Sequence, residues 1–568
     1  MRGFLRADFP LRGEARIAQA PYSLPSCRIG VLQHMHAATR TFFSASLLTL
    51  ISAARIFAVE APRVVEHNGR HALLVEGAPF LVLGAQINNS SSWPAVLPKV
   101  WPALEAMHVN TAEAPIYWEQ LEAEPGKFDF STADALVQGA REHHLHLVLL
   151  WFGTWKNGNM HYAPEWVKTD PHKFPRMING AGEPIDVLSA NSATNRDADK
   201  HAFAALMHHL KEIDGTDHTV LMIQVENESG GIGSPRDFSP AANKEFAGEV
   251  PADLLKALGK PRGTWRDVFA AKADETFQAY YQSRYVNEIA AAGKREFDIP
   301  MYCNVWLSYP VAELPERQIP NPGIGYPSGG PVQDMIGLWK AFAPAIDMIG
   351  PDIYSDDSGF YREILNTYSR PDNALWIPET GNGDSYARFF FYALGQGTIG
   401  FSPFGVDRTG WTYSGEEGPK LHTENFALLG PMDREIAKLN FDGKLKTAVE
   451  EPGAASQELD FGPWQASVRF GFPQPDGRRA PGTSDHHGRA LVAQLAPDEF
   501  LVTGFDASVA FHVPGRLPGL RMQILRAEEG SYENGTWHRT RLWNGDQTDR
   551  GINFRHSGAV IRIRVGTF

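Results

Sequence analysis

The sequence predicts an α/β protein: a closed (β/α)8 barrel (TIM barrel) followed by an antiparallel β-sandwich. Eight short apolar runs alternate with amphipathic stretches between residues 64 and 407, which favours a barrel. No glycine-rich phosphate-binding fingerprint follows the first run, which argues against a Rossmann fold. From residue 440 onwards, short alternating runs are separated by Gly, Pro and Asp turns, as in a sandwich.

A chain of 568 residues is long enough for a large domain and a smaller one. We expect a leader and signal peptide in residues 1–61 and the barrel in residues 62–410. The remaining residues, 411–568, are expected to form a linker and the sandwich, which is either a packing domain or a carbohydrate-binding module.

The apolar runs are continuous rather than alternating, which is typical of parallel strands covered on both faces. They span residues 80–88, 109–118, 145–152, 219–228, 299–307, 346–355, 374–381 and 398–407. Amphipathic segments such as 134–144 and 198–213 predict the helices between them. Ahead of the first run, turn signals at 68–69 and 76–77 predict a hairpin that closes the bottom of the barrel.

The N-terminus has the layout of a secretory signal peptide. Residues 1–34 are Arg-rich, and Met35 is followed by Arg40, an apolar stretch over 42–54 and small residues up to Ala61. The stretch is too short to span a membrane. We expect translation to start at Met35 and the protein to be periplasmic or secreted; a disordered leader on a cytoplasmic enzyme is the alternative.

Composition excludes several partners. A net charge of −13 argues against nucleic acid or an anionic membrane surface. Cys27 lies in the leader, so Cys303 alone predicts no disulfide. Histidines cluster at 143–146 and at 208–209, and neither cluster has acidic or Cys ligands at metal spacing. We therefore expect neither a metal nor another cofactor. The sequence leaves the oligomeric state open.

Two carboxylates lie where barrel strands end. Glu228, in QVENES, ends the fourth run, and Glu379, in WIPETG, ends the seventh. The carboxyl ends of these strands face each other across a barrel mouth, and a carboxylate there is costly to bury without a function. We expect Asn227 to bind a sugar 2-hydroxyl and Tyr354, at the end of the sixth run, to hold Glu379 ionised.

Such a pair suffices for retaining glycoside hydrolysis. One carboxylate attacks the anomeric carbon, while the other group protonates the departing oxygen and then activates water. The negative nucleophile raises the pKa of the donor, and that charge disappears when the sugar binds covalently.

These residues resemble clan A glycoside hydrolases, and family 35, the β-galactosidases, is the nearest match. The resemblance is carried by NTAEAPIYWEQLEAEPGKFDF, IQVENES and WIPETG, and it covers residues 64–410. It implies that Glu228 is the acid/base and Glu379 the nucleophile. The C-terminal region resembles the β-domain of a bacterial branch of that family.

The residues that grip the sugar in that family differ here. Pro115 stands where a Tyr is usual, and WFGTWKNGNMHYAPEW and GAQINNSSSW replace two other motifs. Candidate replacements are Gln86, Asn88, Tyr117, Trp155, Asn157 and Trp306, and we expect Glu113 to line the cleft as a further sugar contact.

The resemblance implies an exo-β-galactosidase that removes terminal galactose from plant-wall oligosaccharides. Two alternatives stay open. One is a clan A enzyme with another specificity, such as an arabinosidase, a fucosidase or a glucosidase. The other is a sugar-binding protein without catalysis, against which the intact pair of glutamates argues.

Overall fold

The computed structural model describes residues 60–310, 320–410, 419–454, 456–471, 483, 486–515 and 519–568. The predicted leader and signal peptide therefore lie outside the described residues, apart from residues 60 and 61. Residues 58–568 form one compact unit.

The eight apolar runs form the eight parallel strands of a closed barrel, as predicted. We number them β1 to β8. They are Val82–Gln86, Thr111–Tyr117, His146–Lys156, Val220–Asn227, Met301–Trp306, Met348–Ile353, Ile377–Thr380 and Gly400–Pro403. Each strand pairs with the next along the chain, and β8 pairs with β1 to close the barrel.

Helices follow the strands and cover the outside of the barrel. The helices before β5 are Leu97–Ala106, Trp118–Leu121, Ser131–Glu142, Glu165–Lys168, Ala193–Asp214, Pro240–Phe246, Ala252–Leu258, Trp265–Phe269 and Ala273–Glu296. The later ones are Ile336–Phe342, Ser358–Tyr368, Asp384–Ala387, Phe389–Gly395, Lys420–Leu429 and Asp433–Phe441. A short hairpin, Arg176–Ile178 with Pro184–Leu188, lies in the long loop after β3.

The predicted N-terminal hairpin is a three-stranded antiparallel sheet of Arg63–His67, Arg70–Val75 and Ala78–Phe80. Leu73 and Val75 are buried in the same cluster as the lower interior residues of the barrel, among them Val148. The sheet therefore closes the bottom of the barrel, which leaves the strands' carboxyl ends as the open mouth.

The predicted sandwich consists of two antiparallel sheets over one apolar core. The six-stranded sheet runs in the order Leu445–Val449, Arg489–Ala496, Glu499–Phe505, Ala559–Thr567, Met522–Glu533, Thr536–Trp543. The four-stranded sheet runs Ser456–Asp460, Gln465–Phe470, Ala507–His512, Ile552–Asn553.

Buried Arg489 joins the sandwich to the barrel's last helices. Its Nε donates to Asn425 Oδ1 over 2.7 Å, and the guanidinium lies 4.0 Å from the centre of the Phe505 ring. Burial lowers the pKa of Arg489 to about 10. Within the described ranges, no helix is long and apolar enough to cross a membrane.

Candidate active site

The ends of β4, β6 and β7 bring three acidic side chains together. Glu228 directly follows β4, Asp352 lies near the end of β6, and Glu379 lies in β7. Asp352 and Glu379 are partners in the register of the two strands. One carboxyl oxygen from each residue lies within 4.8 Å of those of the other two. All three side chains are at least nine-tenths buried.

Glu379 is held by a hydrogen bond to each of its oxygens. The Tyr354 hydroxyl donates to Oε1 over 2.5 Å, and Gln86 Nε2 donates to Oε2 over 2.9 Å. Tyr354 is fixed in turn, because its backbone N–H donates to the Tyr309 hydroxyl. Donors aimed at both oxygens orient the carboxylate and stabilise its negative charge. Tyr354 exposes 40% of its surface, which places it at the open side of the site.

The carboxyl group of Glu228 has an unusually high pKa. Burial, the nearby charge of Glu379 and the neighbouring groups together set its pKa at about 7, well above that of an ordinary glutamate. The ammonium of Lys156, at the end of β3, opposes this rise. A general acid whose pKa lies near neutral pH can give up a proton and take it back within one cycle.

The backbone at the end of β4 is strained in a way that aims Glu228. Glu226 and Glu228 have φ angles of 64° and 45°, in the left-handed region that non-glycine residues seldom adopt. The strain is held by two contacts. Glu226 Oε2 accepts from the Trp155 N–H over 2.7 Å, and the Glu228 N–H donates to Asn304 Oδ1 over 2.8 Å.

Asp352, Asn304 and Lys156 are parts of the site that sequence reasoning missed. Asn304 Nδ2 donates to Asp352 Oδ2 over 2.7 Å while its Oδ1 fixes Glu228. A signal was present for Asp352, which lies two residues before Tyr354. Residues two apart on a strand face the same side. The β5–β6 pairing that brings Asn304 near Asp352 is a tertiary contact that the sequence does not display.

Several predicted residues lie at the mouth or just below it. Asn227 is buried beside Glu228, and no described residue hydrogen-bonds either atom of its amide. The backbone N–H of Asn157 donates to the Asn227 carbonyl over 3.2 Å. Glu113 lies inside the barrel, 3.4 Å from the Tyr302 hydroxyl, and burial raises its pKa well above the usual range.

Two predicted sugar contacts are better explained as packing residues. Trp155 is buried on the outer side of the barrel wall, where its ring lies 4.6 Å from that of Tyr285 on helix Ala273–Glu296. Tyr117 is buried under the Tyr162 ring, at 4.6 Å. Neither side chain is open to a ligand.

The remaining two candidates, Asn88 and Trp306, lie at the edge of the barrel mouth. The amide of Asn88 donates a hydrogen bond to Asp407 in the loop after β8. Trp306 ends β5 in register with Asp352 and is partly exposed. Asn88 follows β1 and Trp306 is the last residue of β5, so both lie at the carboxyl side of the barrel.

The three carboxyl oxygens are the one group of acidic or histidine side chains in the described part of the chain close enough together to hold a metal ion. Oxygen ligands alone suit a hard cation. The expectation of no metal stays a prediction.

Comparisons with known proteins match parts of the chain. Residues 422–555 match a family described as a domain of unknown function (DUF5597). No curated protein matches the sequence.

Among solved structures, β-galactosidase from Bacillus circulans sp. alkalophilus is 15% identical, with a TM-score of 0.46, over 63% of this chain and 57% of that chain. β-Galactosidase from Rahnella sp. R3 is 16% identical, with a TM-score of 0.44, over 65% and 58%. The catalytic domain of β-amylase from Paenibacillus polymyxa is 13% identical, with a TM-score of 0.41, over 56% and 91%. The chain thus spans less than two thirds of the length of the two β-galactosidases.

The fold and the site together place two different carboxyl groups at the mouth of the barrel. A closed parallel barrel presents, at its carboxyl face, one carboxylate held by two donors and a second carboxyl with a raised pKa. Such a pair can supply a nucleophile and a general acid to one reaction.

Proposed function

We propose that the protein is a retaining glycoside hydrolase in which Glu379 is the nucleophile and Glu228 the acid/base. The observation that carries the proposal is the approach of their carboxyl oxygens to within 4.8 Å. Retaining enzymes have carboxyl groups about 5–5.5 Å apart, whereas inverting enzymes keep about 6.5–9.5 Å to admit a water molecule.

In the first step, Glu379 attacks the anomeric carbon while Glu228 gives its proton to the departing oxygen. The covalent bond removes the charge of Glu379, so the pKa of Glu228 falls and the carboxylate becomes a base. Glu228 then takes a proton from water, which attacks the anomeric carbon and releases Glu379. We expect the amide of Asn227, whose two polar atoms have no hydrogen-bond partner among the described residues, to bind the 2-hydroxyl during both steps.

For the substrate, we propose a terminal β-galactoside of a plant-wall oligosaccharide, with export through the N-terminal signal. The support for galactose is the resemblance of IQVENES and WIPETG to family 35. The changed third strand, with Lys156 beside the acid/base, favours testing other sugars as well.

The test is hydrolysis of a panel of aryl β-glycosides and α-arabinosides by the wild type and by Glu379→Gln. Glu142→Gln serves as a matched control, because Glu142 is an exposed glutamate on helix Ser131–Glu142. We expect galactoside release by the wild type and the control, and none by Glu379→Gln at an unchanged Tm.

If the wild type cleaved only another glycoside, the proposed mechanism would stand and galactose would be replaced as the proposed sugar. Full activity of Glu379→Gln would contradict the mechanism. If no glycoside were cleaved by the wild type, the proposed activity on these substrates would be rejected, and binding without catalysis would become the better explanation.

A further inference from the structure

Asp352 is a third carboxyl group in the site, and the two-carboxylate mechanism does not use it. It is buried, and its neighbours within 4.8 Å include an oxygen of Glu228 and one of Glu379. An isolated buried carboxylate between two other acids is costly, because its charge is desolvated and lies beside like charge. The surroundings of Asp352 therefore decide whether it carries a proton.

The hydrogen bonds of Asp352 are those of a neutral acid. Oδ2 accepts one bond, from Asn304 Nδ2 over 2.7 Å. No donor from the described residues reaches Oδ1, which is buried. Oxygens of Asp352 and Glu228 nevertheless lie within 4.8 Å of each other, and a hydrogen bond between the two carboxyl groups contributes to the pKa shift of each. Two carboxyl groups can share a hydrogen bond only if one of them carries a proton.

We propose that Asp352 is a positioning residue that keeps its proton throughout the cycle and donates a hydrogen bond to Glu228. Asn304 makes this arrangement directional, because its amide N–H occupies Oδ2 and leaves the O–H of Asp352 to point at Glu228. Asn304 also accepts a hydrogen bond from the Glu228 backbone N–H, so one side chain orients both Asp352 and Glu228. The inference rests on the proposed function of Glu228.

The charge balance of the reaction supports a neutral Asp352. Before the first step, the site carries the single negative charge of Glu379. As the Glu228 O–H bond breaks and the glycosidic oxygen takes the proton, Glu379 forms its bond to carbon and the charge passes to Glu228. The O–H of Asp352 stabilises the new Glu228 anion and itself gains or loses nothing. An ionised Asp352 would instead add a second negative charge to a buried site.

Burial, followed by the charges of Glu379 and Glu228, raises the pKa of Asp352 well above the usual range, in agreement with this assignment. Lys156 is the cation that opposes the shift. The other titratable side chains that interact with Asp352 are Tyr302, Cys303, Tyr309, Tyr354 and Tyr368.

The first test compares Asp352→Asn, which keeps a donor toward Glu228, with Asp352→Leu, which has the same shape without a donor. The values of kcat/KM are measured on a 2,4-dinitrophenyl glycoside, which leaves without protonation, and on a phenyl glycoside, which needs it. We expect Asp352→Asn to stay within about 10-fold of the wild type on both substrates. Asp352→Leu should lose about 100-fold on the phenyl glycoside and much less on the dinitrophenyl glycoside.

The pH profile gives a readout that a merely structural role would not move. The alkaline limb of kcat/KM should stay in place in Asp352→Asn and move upward in Asp352→Leu, because the Glu228 anion loses its donor. If Asp352 were ionised in the wild type, Asp352→Asn would remove a like charge, and the limb would move downward by about 1 unit or more. That downward shift, or equal losses of both variants on both substrates, would overturn the proposal.

A second measurement needs no turnover and stays decisive if the leucine variant does not fold. Above the Glu228 pKa of about 7, the infrared difference spectrum of wild type minus Asp352→Asn should show the C=O stretch of a protonated carboxyl. An ionised-carboxylate band in its place would overturn the proposal even if the enzyme is active. The protonated band in a protein that cleaves no glycoside would support the proton on Asp352 and reject only the proposed activity.

Discussion

Replacing Glu379 by Gln should lower the pKa of Glu228. The nearest carboxyl oxygens lie within 4.8 Å, and at that limit two unit charges in an effective dielectric constant of about 20 repel by roughly 3.5 kcal/mol, equivalent to about 2.5 pKa units. The charge of Glu379 nevertheless accounts for only part of the rise of the Glu228 pKa from 4.5 to about 7, because burial is the larger cause and persists in the variant. We therefore expect a fall of about 1–2 units from the wild-type value of about 7.

The assay is a pH titration of the side-chain carboxyl carbons by NMR in ¹³C-labelled protein, with Glu228→Gln used to assign the resonance. Glu113→Gln is the matched control, since Glu113 is also a buried glutamate but is not among the groups that shift the pKa of Glu228. Its replacement should leave the Glu228 titration in place. A Glu228 pKa that stays near 7 in Glu379→Gln would refute the account in which the nucleophile's charge tunes the acid/base.

Three further outcomes follow from the structure. Because Glu228 must be protonated to act as an acid and has a pKa of about 7, kcat/KM should fall about tenfold per pH unit above pH 7; a flat profile to pH 9 would contradict this assignment. Trp155→Ala should reduce the free energy of unfolding, measured in urea, by about 3–5 kcal/mol and leave KM unchanged, whereas a raised KM with unchanged stability would place Trp155 in the cleft after all. Arg489→Met should lower Tm, because Asn425 Oδ1 loses its buried donor, and an unchanged Tm would show that the sandwich is held without this contact.

The barrel could be predicted because each of its strands has a recognisable local sequence pattern. Each is a continuous apolar run bounded by helical or turn signals, and all eight runs became strands. Strands such as Met522–Glu533 and Thr536–Trp543 are harder to recognise, since charged residues interrupt their patterns. Met522–Glu533 joins the six-stranded sheet by long-range pairing with Ala559–Thr567, and Thr536–Trp543 joins it by pairing with Met522–Glu533.

The site could be predicted in part, for the same reason. Glu228 and Glu379 stand out because carboxylates end apolar runs, and Tyr354 contacts Glu379 as expected. Trp155 was predicted as a sugar contact because it is aromatic and near a strand end, but it shares its outward face with Leu149 and Trp151, which pack against the helices. Asn304 acts through the register of two neighbouring strands, which no local pattern contains.

The most direct test of the central claim is trapping of the covalent intermediate. The protein is incubated with an activated 2-deoxy-2-fluoro-β-galactoside, or with the corresponding fluoro sugar of whichever glycoside it cleaves, and the labelled peptide is mapped by mass spectrometry. The account predicts one fluoroglycosyl group, attached to Glu379. A label on Glu228 or Asp352, or an enzyme that turns over the parent glycoside without ever being labelled, would contradict it.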